Sequence, residues 1–334
     1  GLDFPWMKKE PVFAVHKPTQ AVKQTPPTGP APFLLEIGTE ELPAAELRSA
    51  LDQLAERVPA LLDELRLEHG KVSILGTPRR LVVSVEKMAD QQTPRTTVVK
   101  GPPESRAFES DGKPSRALEG FAKSKGLEVS DLEVREIDGG KYMVALVKES
   151  TRSAYDVLLE ALPALAAGIK FEKSMRWNST NVAFSRPVRW LLALIGSAAV
   201  PFEYAGLTAG AATHGLRFIE PQEMPVKDAA DYFAKLKAQG ILLDPEARKA
   251  AIREQVLKLM TSVNGQEKID EDLLDEVNQL VEAPTALLGS FEEEHLVLPP
   301  EVLISVMKKH QRYFPVLGKE GKLLPHFIAV RNGD

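Results

Sequence analysis

The sequence predicts an α+β protein of more than one domain, a mixed strand-rich N-terminal part followed by a helix-rich part. Three observations lead there. Short aliphatic and β-branched runs bounded by turn residues dominate before residue 220. Apolar residues at steps of three and four dominate after it. The two kinds of segment do not alternate as a regular βαβ series. With 334 residues, two domains or three small ones are expected.

Residues 1–31 are rich in proline and poor in aliphatic residues, too little apolar area to offset the entropy of ordering them, and are expected to be a disordered linker. They carry neither the apolar run of a secretory signal nor the Ser and Arg of a transit peptide. Phe33–Ile37 reads as a strand and Gly38–Pro43 as a turn into a helix, with Thr39 as N-cap and Pro43 in the first turn. From Ala44 to Glu68, Leu47, Leu51, Leu54, Val58, Leu61, Leu62 and Leu65 fall at helical spacing, with Pro59 expected to kink or divide the helix. Val72–Leu75 and Leu81–Val85 read as strands flanking Gly76-Thr77-Pro78-Arg79-Arg80.

Residues 90–116 are polar, with Pro94, Pro102, Pro103 and Pro114, and read as a long excursion from the sheet. A short helix at 115–125, a strand at Tyr142–Val147, a helix at Ala154–Leu165 and a strand-rich stretch at 174–218 follow. Beyond Pro221, helices are expected at 226–239, 245–263 and 271–281, the second opened by Pro245 behind Asp244. A final helix, Glu301–Lys309, leads to strands at Tyr313–Leu317 and His326–Val330. The expected domains are therefore the linker 1–31, an α+β region 32–220 and a helix-rich α+β region 221–334, with more protein expected beyond.

Composition narrows function by exclusion. Hydrophobic residues at 43% and charged residues at 27% are globular values, which excludes fibrous and wholly disordered classes. No stretch reaches the roughly 18 apolar residues of a membrane span, and Trp190–Val200 is the longest candidate. The absence of cysteine removes thiol nucleophiles, disulfides and cysteine metal sites. A formal charge of −5 excludes a uniformly basic coat but not a local basic face. Lys170, Lys173, Arg176, Arg186 and Arg189 stand against Glu172 alone, whereas 267–294 is mostly acidic.

No phosphate loop, dinucleotide fingerprint, nucleophile elbow or HExxH motif is present, and no two of the six histidines have metal-ligand spacing. Neither a catalytic residue nor a metal site is therefore assigned. Glu40-Glu41 suits a helix N-terminus better than paired acid–base chemistry. The stronger signal is basic groups beside aromatics, in Thr77-Pro78-Arg79-Arg80, Met175-Arg176-Trp177, Ser185-Arg186-Pro187-Val188-Arg189-Trp190 and Lys308-Lys309-His310-Gln311-Arg312-Tyr313-Phe314. Arginine forks hold phosphates and aromatics stack on unpaired bases. Arginine stems also pack on core aromatics, so both readings stay open.

Those blocks, with Phe33–Pro43, Lys100-Gly101-Pro102, Phe184–Leu191 and Thr213-His214-Gly215-Leu216-Arg217-Phe218, lie in the order found in the β subunit of bacterial-type glycyl-tRNA synthetase, which the chain resembles over about 33–334. The resemblance implies an ATP-dependent ligase joining glycine to tRNA(Gly), cytoplasmic, with ATP and Mg used by the whole enzyme and no cofactor in this part. It implies that an α subunit, or a fused α domain, holds the adenylation site while β mainly binds tRNA, as a hetero-oligomer or a dimer of fused chains. In that family β continues into an HD-type domain and a helical anticodon-binding domain. Gly1-Leu2-Asp3-Phe4-Pro5 resembles the end of the α subunit, which would make 6–32 an inter-subunit linker. On this reading Arg79, Arg80, Lys100, Arg176, Arg186, Arg189, Arg217, Lys308, Lys309 and Arg312 are the candidate tRNA-binding residues. A scaffold with little RNA contact and a hydrolytic editing-like module are the alternatives.

Overall fold

The computed structural model describes residues 25–109, 112–217, 219 and 222–333. Residues 1–24 of the expected linker, and the expected boundary at 220/221, lie outside the described residues. Strand β1 (Ala31–Thr39) leads through Pro43, which takes the N-cap position expected of Thr39, into helix α1 (Ala44–Glu64). Thr39 instead ends the strand, its backbone N–H donating to Arg79 O across the sheet at 2.8 Å. Helix α1 continues past Pro59 without a break. The hairpin β2 (Val72–Thr77) and β3 (Arg80–Met88) turns through Pro78-Arg79 alone.

Residues 91–153 form a compact unit of their own. The polar stretch read as an excursion supplies its first strand, because Thr96-Thr97-Val98-Val99 is β-branched throughout. The unit comprises β4 (Thr96–Pro103), α2 (Arg116–Ser124, capped by Ser115), β5 (Glu133–Ile137) and β6 (Gly140–Lys148), with sheet order β4-β6-β5. Leu118 and Ala122 of the helix bury against Met143 and Ala145 of the central strand.

The other unit resumes with α3 (Ala154–Gly168), β7 (Val188–Ile195) and β8 (Ala198–Ala199), completing an antiparallel sheet of order β2-β3-β1-β7-β8. Strand alternation assigns its two faces. Phe33, Leu35 and Ile37 join Val83 and Ala193 in the core packed on α1 and α3. Leu34, Val82, Leu192 and Leu194 join the opposite core. Two ribbons follow, β9 (Glu203–Tyr204) with β10 (Leu207–Thr208), and β11 (Ala212–His214) with β12 (Glu223–Pro225). Helix α4 (Ala229–Ala238) then covers that second face with Tyr232 and Leu236. Because both faces are covered, β1 is buried at nearly every position, including the charged Glu36.

Helices α5 (Pro245–Ser262, capped by Asp244) and α6 (Glu271–Asn278, capped by Asp270) share a third core with a smaller sheet. That sheet contains β13 (Pro284–Ser290) and, after α7 (Pro300–Val306), β14 (Phe314–Leu317) and β15 (Leu323–Asn332), in the order β13-β15-β14. The helix expected to reach Lys309 widens into a π-helical turn at Met307–Gln311 and stops where Arg312 takes a left-handed backbone, φ 59°.

Candidate functional site

Strand register brings the first group of candidate residues together. Gly38 of β1 pairs with Arg80 on one side and Trp190 on the other, so both side chains share the face that carries Glu36. Gly38 leaves room for the indole, since a Cβ there would lie 1.9 Å from the Trp190 ring. The Glu36 carboxylate accepts from Arg80 Nη1 at 3.1 Å, Trp190 Nε1 at 2.9 Å, Thr213 Oγ1 at 2.7 Å and Tyr232 Oη at 2.9 Å. Glu282, in the segment between α6 and β13, accepts from Arg80 Nε at 2.9 Å and Thr77 Oγ1 at 2.5 Å. Arg80 Nη1 also donates to His214 O at 2.9 Å.

Arg80, Glu36, Glu282 and Tyr232 are all fully buried. Burial works against the Arg80 charge, but Glu282 and Glu36 more than offset it and hold the guanidinium above its ordinary pKa. Burial, then Glu36, pushes the Tyr232 hydroxyl well above its ordinary value, keeping it a neutral donor. The expectation that Arg80 faces RNA is therefore corrected. Two carboxylates enclose its head group and none of its surface is open to a phosphate. Arg79 is mostly buried as well, donating to Gly215 O at 3.2 Å and lying 3.7 Å from Glu282. Burial lowers its pKa, with Glu282 opposing. The guanidinium carbons of both arginines lie 5.5 Å from the Trp190 ring centroid.

Arg248 is a third buried cation, which the sequence reading did not single out. Its Nε donates to Asn278 O at 3.0 Å and its Nη1 to Gly76 O at 2.9 Å and Leu242 O at 2.6 Å, tying α5 to the β2–β3 hairpin. Burial draws its pKa down to about 10. Glu36 and Glu282, the acids that enclose Arg80, were not singled out either. Glu36 had a usable signal, a lone charge inside the apolar run Phe33–Ile37, which must be paired wherever both sheet faces are covered.

The remaining candidates are on the surface or partly so, and most have carboxylate partners. Arg189 lies 3.1 Å from Glu40, and Arg217 lies 3.5 Å from both Glu40 and Glu41. In residues 91–153, Lys100 sits 3.6 Å from Asp138 and 3.8 Å from the Tyr142 ring centroid. Lys308 pairs with Asp270, and Arg312 with Glu276 at 2.6 Å. The acidic run at 267–294 is thus no separate surface. Part of it neutralises the basic turn after α7, across a shallow groove of about 300 Å³.

Arg176, Arg186 and Lys309 differ, having no carboxylate partner among the described residues. Arg176 Nε donates to Asn181 O at 3.1 Å and Arg186 Nη1 to Ser185 O at 2.9 Å, which orients both heads without neutralising them. Lys170 and Lys173 are exposed on the same connection between α3 and β7. That connection is anchored by Phe171, Trp177 and Val182 against the core and closed by the Met175–Phe184 backbone pair. Trp177 therefore packs inward, in line with the core reading of these aromatics. Among the described residues, no three or more His, Asp and Glu side chains gather as metal ligands, and no helix is long and apolar enough to cross a membrane.

The family model for the glycyl-tRNA synthetase beta subunit matches residues 33–334. A glycine–tRNA ligase beta subunit from Desulforamulus reducens is 46% identical over 301 residues, 90% of this chain and 43% of its own length. That of Clostridioides difficile is 42% identical over 302 residues, 90% of this chain and 44% of its own length. A chloroplastic/mitochondrial glycine–tRNA ligase from Arabidopsis thaliana is 45% identical over 305 residues, 91% of this chain and 28% of its own. The chain spans less than half the length of these relatives. Extended identity at this level, together with a family match from the first core strand to the end of the sequence, places the chain in the glycyl-tRNA synthetase beta subunit family.

Proposed function

We propose that this chain is the N-terminal part of the β subunit of a glycine–tRNA ligase, contributing tRNA binding and assembly to the ATP-dependent joining of glycine to tRNA(Gly) in the cytoplasm. The observation that carries the RNA role is the α3–β7 connection, where the side-chain cations of Lys170, Lys173, Arg176 and Arg186 make no ion pair among the described residues, the backbone N–H of Lys173 alone donating to the Glu46 carboxylate at 3.1 Å. Unneutralised cations on a loop anchored to the core suit a phosphate backbone, since each phosphate they meet releases condensed counterions. ATP and Mg²⁺ are used by the whole enzyme, with adenylation in the α subunit or a fused α domain. The side chains described here offer neither a phosphate loop nor a metal donor set.

Binding of tRNA(Gly) to this chain at two or more salt concentrations tests the reading. The expected result is affinity that falls steeply with salt and no glycine-dependent ATP–pyrophosphate exchange by the chain alone. Affinity near zero at low salt would favour a scaffold, and exchange activity would overturn the division of labour between subunits.

A further inference from the structure

The connection between α3 and β7 carries four cations, Lys170, Lys173, Arg176 and Arg186, and one acid, Glu172. Its backbone is held to α1. Gln53 accepts from the Lys170 N–H at 2.8 Å and donates to the Lys170 carbonyl at 2.7 Å, and Glu46 accepts from the Lys173 N–H at 3.1 Å. Its aromatic rings are taken up in packing: Phe184 is buried, Phe171 meets it edge-on at 4.5 Å, and Trp177 packs half-buried against the same core. One of its two amides is taken up as well. Asn178 Oδ1 accepts from the Thr180 N–H at 3.1 Å and the Thr180 hydroxyl at 2.6 Å, while Nδ2 donates to Ala205 O at 2.7 Å. Exposed beside Glu172 are Lys170, Lys173 and Arg176, the hydroxyls of Ser174 and Ser179, the second amide, Asn181, and Met175, which offers no ring.

Unpaired RNA is held by stacking its bases on aromatic rings and by reading their edges with hydrogen-bonding side chains, whereas a base-paired helix is recognised by its shape and through its phosphates and 2′-hydroxyls. With its rings packed on the core and its cations and serine hydroxyls exposed, the connection matches the second mode and lacks the platform for the first. We infer that it takes base-paired RNA, a stem of the tRNA, by the sugar–phosphate backbone and without regard to base sequence, so that this contact does not discriminate among tRNAs. The inference rests on the RNA role proposed above and names the form of RNA that the site takes.

Binding to this chain at low salt tests the inference, with four probes: two RNA duplexes of equal length and unrelated sequence, a poly(U) strand with the same number of phosphates, and tRNA(Gly). The expected result is that the two duplexes bind within twofold of each other and poly(U) at least tenfold more weakly. The triple variant Lys173→Ala, Arg176→Ala, Arg186→Ala should weaken both duplexes at least tenfold and by the same factor, with the thermal midpoint unmoved and the salt slope flattened by about one unit for each phosphate lost. Poly(U) bound as tightly as the duplexes, or duplexes that differ tenfold from each other, would overturn the inference and leave the RNA role standing. These comparisons use the wild-type chain and so decide the matter even if the triple variant does not fold. A folded triple variant that binds the duplexes like wild type would overturn the inference too, by placing the helix elsewhere on the chain. Binding of none of the four, tRNA(Gly) included, would overturn the RNA role and the inference together.

Discussion

The hairpin arginines Arg79-Arg80 and the loop arginines Arg176 and Arg186 look alike in the sequence, each pair beside a turn and with few acids close by, yet they end in opposite environments. Arg80 is enclosed between Glu36 and Glu282, whereas Arg176 and Arg186 meet only backbone carbonyls. Acids close in sequence do not decide the outcome. The partners of Arg80 lie 44 and 202 residues away, brought to it by a shared sheet face and by the segment that follows α6. A cation's role is set by which carboxylate the topology delivers, so the two pairs should respond to substitution in opposite ways.

The largest effect is expected where the buried pair is broken from the acid side. Glu36→Ala leaves the donors of Arg80, Trp190, Thr213 and Tyr232 without their common acceptor. Removing one partner of a buried ion pair costs about 3–5 kcal/mol. Denaturant midpoints should fall accordingly, while a loss below about 1 kcal/mol would show that solvent reaches the network. Gly38→Ala should cost somewhat less, about 1–3 kcal/mol for a forced shift in a packed core. Its added carbon must displace the indole that lies over it. Weaker indole fluorescence quenching together with reduced stability would mark that displacement, and wild-type stability would mean that the sheet absorbs the methyl.

Much of the fold was legible because periodicity reports burial directly. The apolar run Phe33–Ile37 read as a strand and the spacing of Leu47–Leu62 as an amphipathic helix, and the structure has both, with Phe33, Leu35 and Ile37 packed in the core that the helix fills. Strands β4 and β5 were not legible as elements, because their exposed polar positions break the apolar pattern that marks a strand. Residues 90–116 consequently read as loop where they supply the first strand of a unit with its own core. For the candidate site, the sequence named the cations but not their acids. Glu40, Asp270, Glu276 and Glu282 are ordinary surface-type residues until the chain folds, and nothing local marks them as partners.

The loop arginines should show the reverse profile. Lys173→Ala, Arg176→Ala and Arg186→Ala, singly, should leave stability within about 0.5 kcal/mol of wild type. Each should flatten the salt dependence of tRNA binding by about one unit for every phosphate the side chain had neutralised. Measured on the same preparations as Glu36→Ala, this separates the two classes. Destabilised loop variants that bind tRNA with an unchanged salt slope would move Arg176 and Arg186 into the structural class.

The smallest effect divides two neighbours that the sequence treats as one. Lys308 pairs with Asp270, the N-cap of α6, whereas Lys309 is exposed without a carboxylate partner among the described residues. The Lys308 hydrogen bond, with help from the Leu273 N–H, holds the Asp270 carboxyl below its ordinary range. A carboxyl whose folded-state pKa is depressed contributes stability above its unfolded pKa of about 3.9 and loses it as pH falls through the folded value. Stability should therefore decline in acid below about pH 4, and Lys308→Met should make that decline shallower, because the substitution removes the main cause of the depression. The change is modest, since both side chains are about one-third exposed and solvent screens the pair. Lys309→Met should leave the acid limb as it is and lower only the salt slope of tRNA binding. If Lys308→Met leaves the acid limb unchanged while lowering the salt slope as much as Lys309→Met, the Asp270 pair is dispensable in solution and Lys308 belongs with the loop arginines.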